Sequence, residues 1–124
     1  MVIDSNIIIY ASYPENQYLR DFISQNAAVI STISIIETLG YHKITTDDLY
    51  NLKIVIDSAE IVDLTREIVD RAVMVRIAGK ISLPDTIIAA TALHYNFELV
   101  TNNESDFKGI AGLRIINPLR TITT

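Results

Sequence analysis

The chain has 124 residues, of which 49% are hydrophobic and 20% are charged, so it is long enough to bury the core of one compact domain. Its 15 acidic residues outnumber its 10 lysines and arginines, and the formal charge of −5 argues against a histone-like binder of nucleic acid. The absence of cysteine excludes disulfides, thiolate zinc sites and cysteine nucleophiles. We therefore expect one domain that covers residues 1–124.

The apolar segments of the sequence are short. The N-terminal segment MVIDSNIIIY has an acid inside its apolar run and no basic stretch before it, so no signal peptide is expected. The apolar stretch 27–36 is far below the roughly 18 to 20 residues that a membrane span requires. A cytoplasmic protein without membrane contact is expected. The mean hydropathy of +0.29 is high for a small domain, which indicates that a partner or a second copy covers part of the surface.

Short β-branched runs alternate with longer helical patterns, which is typical of a parallel sheet covered by helices. The predicted elements, in chain order, are a strand at Val2–Asp4, helices at Ser5–Ser12 and Gln17–Gln25, a strand at Ala28–Ile30, helices at Thr32–Lys43 and Thr46–Ser58, a strand at Ala59–Val62, helices at Thr65–Ala78 and Asp85–Tyr95, and strands at Glu98–Thr101 and Leu113–Ile116. The pattern predicts an α/β fold, a three-layer α/β/α sandwich with a central, mainly parallel sheet. A short exposed end is expected after Pro118.

The helix that opens at Asp85 is apolar on nearly every side, so it is expected to be central and buried. The residues before it support a helix start. Ser82 and Asp85 have the spacing of a capping box, and Pro84 falls in the first turn, where a missing N–H costs little.

Four acidic residues stand near places where a predicted helix follows a predicted strand: Asp4, Glu37, Asp85 and Asp106. Helix capping or a first-turn position explains any one of them, because a carboxylate there satisfies free N–H groups. Ser34 and Glu37 also have the spacing of a capping pair. Their apolar neighbours are nevertheless unusual for surface acids. In a fold that gathers strand ends on one side, the four would lie close enough to form a metal site.

Clustered carboxylates need a cation or bound protons, because two unit charges about 4 Å apart repel by about 4 kcal/mol at an effective dielectric of 20. With no cysteine and two histidines, the ligands would be oxygens, which suit Mg²⁺ or Mn²⁺. Neither His42 nor His94 is expected to be catalytic. If His94 shares a helix with Asp85, the nine-residue spacing places the two on roughly opposite faces.

Some basic residues are placed to border such an acidic pocket and contact phosphates. Arg76 and Lys80 precede Asp85, while Lys108 and Arg114 follow Asp106. This signal is weak, and for Arg76 and Lys80 a favourable position near a helix C-terminus is the preferred explanation.

Four segments in this order, DSNIIIYA, SIIETLGY, LPDTIIAATAL and TNNESDF, resemble the PIN-domain ribonucleases, especially the VapC-type toxins. The resemblance covers essentially the whole chain. It implies that the four acids, Asp4, Glu37, Asp85 and Asp106, form the pocket that binds Mg²⁺ or Mn²⁺ for hydrolysis of RNA phosphodiester bonds. It also implies supporting polar residues that hold the carboxylates or the scissile phosphate, namely Ser5, Asn6, Thr101 and Asn103.

Two departures from this assignment remain open. Asn103 is also explained as a helix cap, and Asn102 stands where a basic residue is frequent in the family, which concerns contacts with RNA.

The function implied by the resemblance is a metal-dependent endoribonuclease, the toxin of a VapBC-like toxin–antitoxin pair. The implied partners are an RNA substrate, a cognate antitoxin and a second copy in a homodimer. The alternative is a non-catalytic PIN-like module that binds protein or RNA and uses its acids only as helix caps. A phosphatase-like domain is less favoured, because the first strand lacks an Asp-x-Asp pair and there is no glycine-rich phosphate loop.

Overall fold

The computed structural model describes residues 1–119 and contains a five-stranded sheet. Its strands are β1 (Val2–Ile3), β2 (Val29–Ser31), β3 (Glu60–Val62), β4 (Leu99–Val100) and β5 (Ile115–Ile116). The spatial order is β3-β2-β1-β4-β5, and every neighbouring pair is parallel. The predicted parallel sheet is confirmed, with the first strand of the chain at its centre.

Seven helices connect and cover the strands within the described residues. They are α1 (Ser5–Ser12), α2 (Gln17–Gln25), α3 (Thr32–Leu39), α4 (Thr46–Asp57), α5 (Arg66–Ala78), α6 (Leu83–Tyr95) and α7 (Glu104–Phe107). No helix in residues 1–119 has both the length and the apolar character needed to cross a membrane.

Successive residues of a strand point to opposite faces of the sheet, and here each face has its own core. Ile3, Ile30 and Val100 pack on one face with α1, α2 and α4. Val2, Val29 and Leu99 pack on the other face with α6 and α7. The sheet is therefore the middle layer of a three-layer α/β/α sandwich, as the sequence predicts.

The central position predicted for α6 is also confirmed. Every residue from Thr86 to Ala92 is buried, and Ala90 packs against α5. The helix begins at Leu83, two residues earlier than predicted, because Ser82 is its N-cap and accepts a hydrogen bond from the Asp85 N–H at 3.3 Å. Asp85 is thus held in the first turn of a helix whose remaining length is fixed in the core.

Some predicted boundaries are wrong. The helix predicted at Thr32–Lys43 ends at Leu39, because Gly40 is its C-cap and donates its N–H to the Ile36 carbonyl at 2.9 Å. The short α7 is absent from the predicted elements. Asp4 and Thr101 are predicted as the last residues of their strands but lie just beyond the observed β1 and β4, and the remaining boundaries shift by at most two residues.

The predicted exposed end lies mostly outside the described residues. Within them, Pro118 is buried and Leu119 packs against the core of α1, α2 and α4.

Candidate active site

The sheet places a crevice between the ends of β1 and β4. From β1 the chain builds the sheet outwards to β2 and β3 on one side, and later to β4 and β5 on the other. Ligands of open parallel sheets bind at such a switch point, outside the carboxyl ends of the strands. Asp4 directly follows β1 and Thr101 directly follows β4. Both therefore lie at the position where this fold binds ligands.

Asp4 is the buried carboxylate of this crevice, with only 4% of its surface exposed. It is the N-cap of α1, and its Oδ1 accepts a hydrogen bond from the Ser5 N–H at 2.8 Å. Its Oδ2 accepts a hydrogen bond from the Thr101 hydroxyl at 2.7 Å. The pKa of Asp4 is raised to about 6, mainly by burial and to a smaller extent by the charges of Asp85 and Glu37, while the two hydrogen bonds oppose the rise.

Thr101 connects Asp4 to the loop that carries α7. Its buried hydroxyl oxygen accepts a hydrogen bond from the Asn103 N–H at 3.0 Å while donating to Asp4. Asn103 occupies the N-cap position of α7, but its side chain makes no capping bond there. The alternative explanation of Asn103 as a side-chain cap is therefore wrong. Asn6 lies half-buried in the first turn of α1.

Glu37 reaches the crevice from α3 through Ser5. Its Oε1 accepts a hydrogen bond from the Ser5 hydroxyl at 2.7 Å, and the hydroxyl oxygens of Ser5 and Ser34 are 3.0 Å apart. The N-cap of α3 is Ser31, so the capping pair suggested for Ser34 and Glu37 is wrong. Ser34 is instead fully buried beneath Ser5 and supports the acidic site, a role that sequence reasoning missed.

The acids are less alike in burial than their apolar neighbours in the sequence suggest. Asp4 is buried, Asp85 is half-buried, and both Glu37 and Asp106 are exposed. Glu37 also lies in the second turn of its helix, so it is not a residue of a helix start. Three of the acids nevertheless follow the expected placement near helix N-termini, where the backbone favours negative charge.

Charge interactions connect the remaining acids. Burial raises the pKa of Asp85, against a hydrogen bond from Ser82, and the charges of Asp106 and Glu37 raise it further. The charges of Asp85 and Glu37 likewise raise the pKa of Asp4. The four carboxylates therefore form one negative region at the carboxyl edge of the sheet, although Asp85 and Asp106 make no direct hydrogen bond to Asp4.

The donor atoms of this region suit a hard divalent cation, because they are carboxylate and hydroxyl oxygens. A cation would also offset the loss of hydration and the charge repulsion that raise the pKa values of Asp4 and Asp85. In the arrangement of residues 1–119, no three carboxylate or imidazole groups converge closely enough to form a metal site. The chemistry of the donors nevertheless fits such an ion.

A groove of about 470 Å³ opens beside the acids, between α5, the loop after it and the segment that follows α7. Asp106, Lys80 and Lys108 line it, as the sequence predicts for these two lysines. Arg76 and Arg114 do not: Arg76 lines a separate apolar pocket, and Arg114 donates to the Asn96 carbonyl at 2.8 Å.

Arg71 lines this groove instead, although it lies far from the acidic motifs in the sequence. Its spacing of nine residues before Lys80 gives no local signal, since the contact depends on how α5 packs against the chain after α7.

The family model of the PIN domain matches residues 1–113. The chain belongs to the PIN-domain family. PIN domains are generally nucleases, so this assignment places the acidic crevice in a nuclease fold. No curated protein matches the chain.

Solved structures give the same fold. The VapBC2 complex from Rickettsia felis, bound to a promoter DNA fragment, is 26% identical with a TM-score of 0.80, and the match covers 94% of this chain and 96% of that chain. A toxin–antitoxin complex from Klebsiella pneumoniae is 28% identical with a TM-score of 0.74 and the same coverages. At 23% identity and a TM-score of 0.79, DNA-bound VapBC from Salmonella typhimurium matches over 93% and 95% of the two chains and supports the fold alone. The resemblance to VapC-type PIN domains is confirmed.

Proposed function

We propose that this PIN domain is a metal-dependent endoribonuclease that hydrolyses RNA phosphodiester bonds as the toxin of a VapBC-like pair in the cytoplasm. The observation that supports the proposal most directly is the coupling of Asp4, Glu37, Asp85 and Asp106 at the switch point of the sheet. Helix capping alone does not explain why acids from four separate helices meet at one crevice.

In this proposal Asp4, Asp85 and Asp106 hold Mg²⁺ or Mn²⁺. When bound, such an ion lowers the pKa of a water molecule and neutralises charge on the phosphate and the leaving oxygen. Asp4 is the anchor of the three, because the fold fixes its two oxygens through the Ser5 N–H and the Thr101 hydroxyl. Asp85 and Asp106 approach from the first turn of α6 and from α7.

Glu37 has a different role, since a hydrogen bond to Ser5 holds it and it lies exposed at the mouth of the crevice. We assign it as the residue that orients the attacking water or accepts its proton. Ser5 sets the position of Glu37, and Thr101 sets that of Asp4. The amides of Asn6 and Asn103 remain proposed contacts to the scissile phosphate.

A cognate antitoxin is proposed as a partner, by similarity to the toxin–antitoxin complexes. A groove of about 290 Å³ between α1, α3 and α4 suits it, because Tyr13 and Tyr41 supply apolar surface and Glu37 and Asp48 supply negative charge. A peptide with an apolar face and one basic side chain would fill it and place that cation against Glu37. An antitoxin bound there would compete with the RNA substrate for access to the proposed active site.

A homodimer is proposed on a second surface. Helix α5 has an exposed apolar stripe at Val69, Val73 and Ile77, four residues apart, and Leu83 continues it beside a pocket of about 360 Å³. A monomer that leaves such a stripe in water exposes an unusual amount of contiguous apolar surface.

The function is tested by incubating purified protein with total tRNA and rRNA, with Mn²⁺ or with chelator. We expect cleavage only with the metal ion, and at least about 100-fold slower cleavage by Asp85→Asn. Asp63→Asn is the matched control, because Asp63 is an exposed acid that follows the edge strand β3 outside the crevice. Full activity of Asp85→Asn would overturn the assignment of the site.

The non-catalytic alternative rests on one observation, that no three candidate ligands converge within residues 1–119. A melting experiment with Mn²⁺ separates the two functions, since an ion that binds only the folded protein raises its melting temperature. A wild-type protein that shows no shift and cuts no RNA is a binding module.

A further inference from the structure

The groove between α5 and the segment after α7 continues directly from the acidic crevice, because Asp106 belongs to both. We propose that this groove binds the single-stranded segment of RNA next to the scissile phosphate. Lys80, Lys108 and Arg71 contact its backbone, and the apolar floor receives one base. The inference rests on the proposed function, since it takes the substrate strand to be RNA.

The charge of the groove contrasts with that of the chain. The protein has a formal charge of −5 and only ten lysines and arginines, yet three of these line this one groove. All three are exposed, and none forms an ion pair within residues 1–119. The ion pair in that part of the chain joins Arg66 and Asp70. Their charges are available to a ligand, and phosphates are the groups that such side chains bind without reading sequence.

The floor of the groove is apolar. Four apolar side chains line it: Val75 is buried, Leu93 and Ile110 are half-buried, and Met74 is exposed. A nucleobase can place its apolar face against these aliphatic side chains while its phosphate stays at the rim beside the cations. A volume of about 470 Å³ falls within the usual range of small-ligand pockets and suits one nucleotide, not a duplex.

The positions of the two lysines place the bound strand next to the acids. Lys80 lies five residues before Asp85 in the loop that starts α6, and Lys108 directly follows α7, which carries Asp106. A phosphate held between the two lysines would therefore neighbour the phosphate held at the carboxylates. The groove would position the substrate and would not take part in the chemical step.

Binding of a short labelled single-stranded RNA in EDTA tests this inference without catalysis. We expect the double variant Lys80→Gln, Lys108→Gln to bind about 10-fold more weakly at low salt. Its plot of log affinity against log salt should be shallower by about 1.4, the value for two phosphate contacts on a single strand. The matched control is Lys43→Gln, Lys53→Gln, which removes the same charge from exposed positions outside the groove. An abasic RNA should bind wild type about 5- to 10-fold more weakly than the intact strand, because it loses the burial of one base face against the aliphatic floor.

With Mn²⁺ present, the groove variant should show a raised KM and an unchanged kcat, as expected when binding common to substrate and transition state is lost. The inference is overturned if the groove variant binds as wild type does, or if the control variant loses as much affinity. Equal binding of abasic RNA would overturn the base-binding floor. Failure of the proposed function is distinguishable, because wild type would then bind RNA in EDTA and still cut none with Mn²⁺.

Discussion

Asp4 is the residue at which folding and the proposed activity oppose each other. A buried carboxylate loses hydration, and this loss raises its pKa from 3.8 to about 6. The folded protein therefore holds a proton at Asp4 more tightly than the unfolded chain does. Between about pH 4 and pH 6, the free energy of unfolding falls as pH rises, and the loss is complete above the folded pKa. By the same sign, the raised pKa of Asp85 adds to this loss.

Replacing Asp4 with asparagine should stabilise the metal-free protein. A shift of about two pKa units corresponds to about 3 kcal/mol, so Asp4→Asn should be more stable than wild type by up to about 3 kcal/mol at pH 8. The gain should shrink towards zero at pH 4, where wild-type Asp4 is protonated. Urea denaturation in EDTA across this range measures the difference. A variant less stable than wild type at pH 8 would contradict the electrostatic account, and RNA cleavage by the same variant should be lost.

Thr101 should stabilise the charged form of Asp4 by its hydrogen bond. Thr101→Val keeps the shape of the side chain and removes the donor, which should cost about 1.5–3 kcal/mol at pH 8, where the acceptor is ionised. The cost should fall to about 0.5–1.5 kcal/mol at pH 4, where the acceptor is neutral. Thr101→Ser retains the hydroxyl and is the control. Equal losses at the two pH values would show that Thr101 does not stabilise the charged form of Asp4, since its bond from the Asn103 N–H is lost at both pH values.

At this scale the sequence reveals side chains whose type is chemically required and conceals those whose role is positional. Asp4, Asp85 and Asp106 are recognisable because their motifs occur in the order typical of a known family, although helix capping would explain any one of them alone, and Thr101 belongs to the same motif as Asp106. Ser34 is not recognisable, because its contact with Ser5 joins residues 29 positions apart. Its spacing from Glu37 even supports a wrong explanation, a capping pair, when the cap of α3 is Ser31.

Among the elements, α7 depends most on tertiary contacts. It has four residues, far fewer than the roughly 12 to 15 that an isolated helix needs to be even marginally stable in water. Phe107 is 1% exposed and packs in the core formed by β1, β2, β4 and α6. This single buried ring therefore fixes the helix that carries Asp106.

Shortening this anchor should affect activity more than an equal loss of stability elsewhere. Phe107→Leu is expected to cost about 1–2 kcal/mol, a smaller loss than the 3–5 kcal/mol typical of Phe→Ala, and to lower kcat by moving Asp106. Phe22→Leu is the control, because Phe22 packs against the core on the opposite face of the sheet. Urea denaturation matches the two variants in stability, and RNA cleavage rates separate them. An equal kcat for the two would show that α7 does not position the site.

Elements with their own start and stop signals were predictable, and elements defined by packing were not. The helices α1 and α2 have the predicted bounds, and α6 was recognised from its capping serine, its proline and its apolar surface. Helix α3 is shorter than predicted because the glycine at position 40 ends it. Helix α7 was missed because its four residues show no periodicity, and only the burial of Phe107 explains its formation.

For the whole molecule, the alternation of strands and helices predicts the layers but not the order of the strands. Local sequence contains no information on whether β4 pairs with β1 or with β3, and the active-site crevice depends on that choice. Contact between Asp4 and Thr101, 97 residues apart, exists only because β4 lies next to β1. The resemblance to PIN domains implied that the acids share one pocket, but no order of the strands was predicted from it.

The high mean hydropathy has a physical location in the structure, the outer face of α5. That helix buries Ile68, Ala72 and Val75 against its own domain, while Val73 and Ile77 point outwards with 51% and 75% of their surfaces exposed. One helix therefore has two apolar faces, and the domain covers only one of them. The free energy that would be gained by covering the second face supports the proposed homodimer.

We expect light scattering of the wild-type protein at micromolar concentration to give the mass of two chains. Ile77→Glu should give the mass of one chain, because a buried carboxylate without a partner at the centre of the interface costs several kcal/mol. Ile54→Glu is the control, since Ile54 is an apolar residue on α4, 48% exposed and outside the stripe. Ile77 does not line the groove proposed for RNA, so a monomeric variant that still binds RNA would separate dimerisation from substrate binding. A wild-type mass of one chain would leave α5 without its second copy and favour another protein, such as the antitoxin, as the partner of that face.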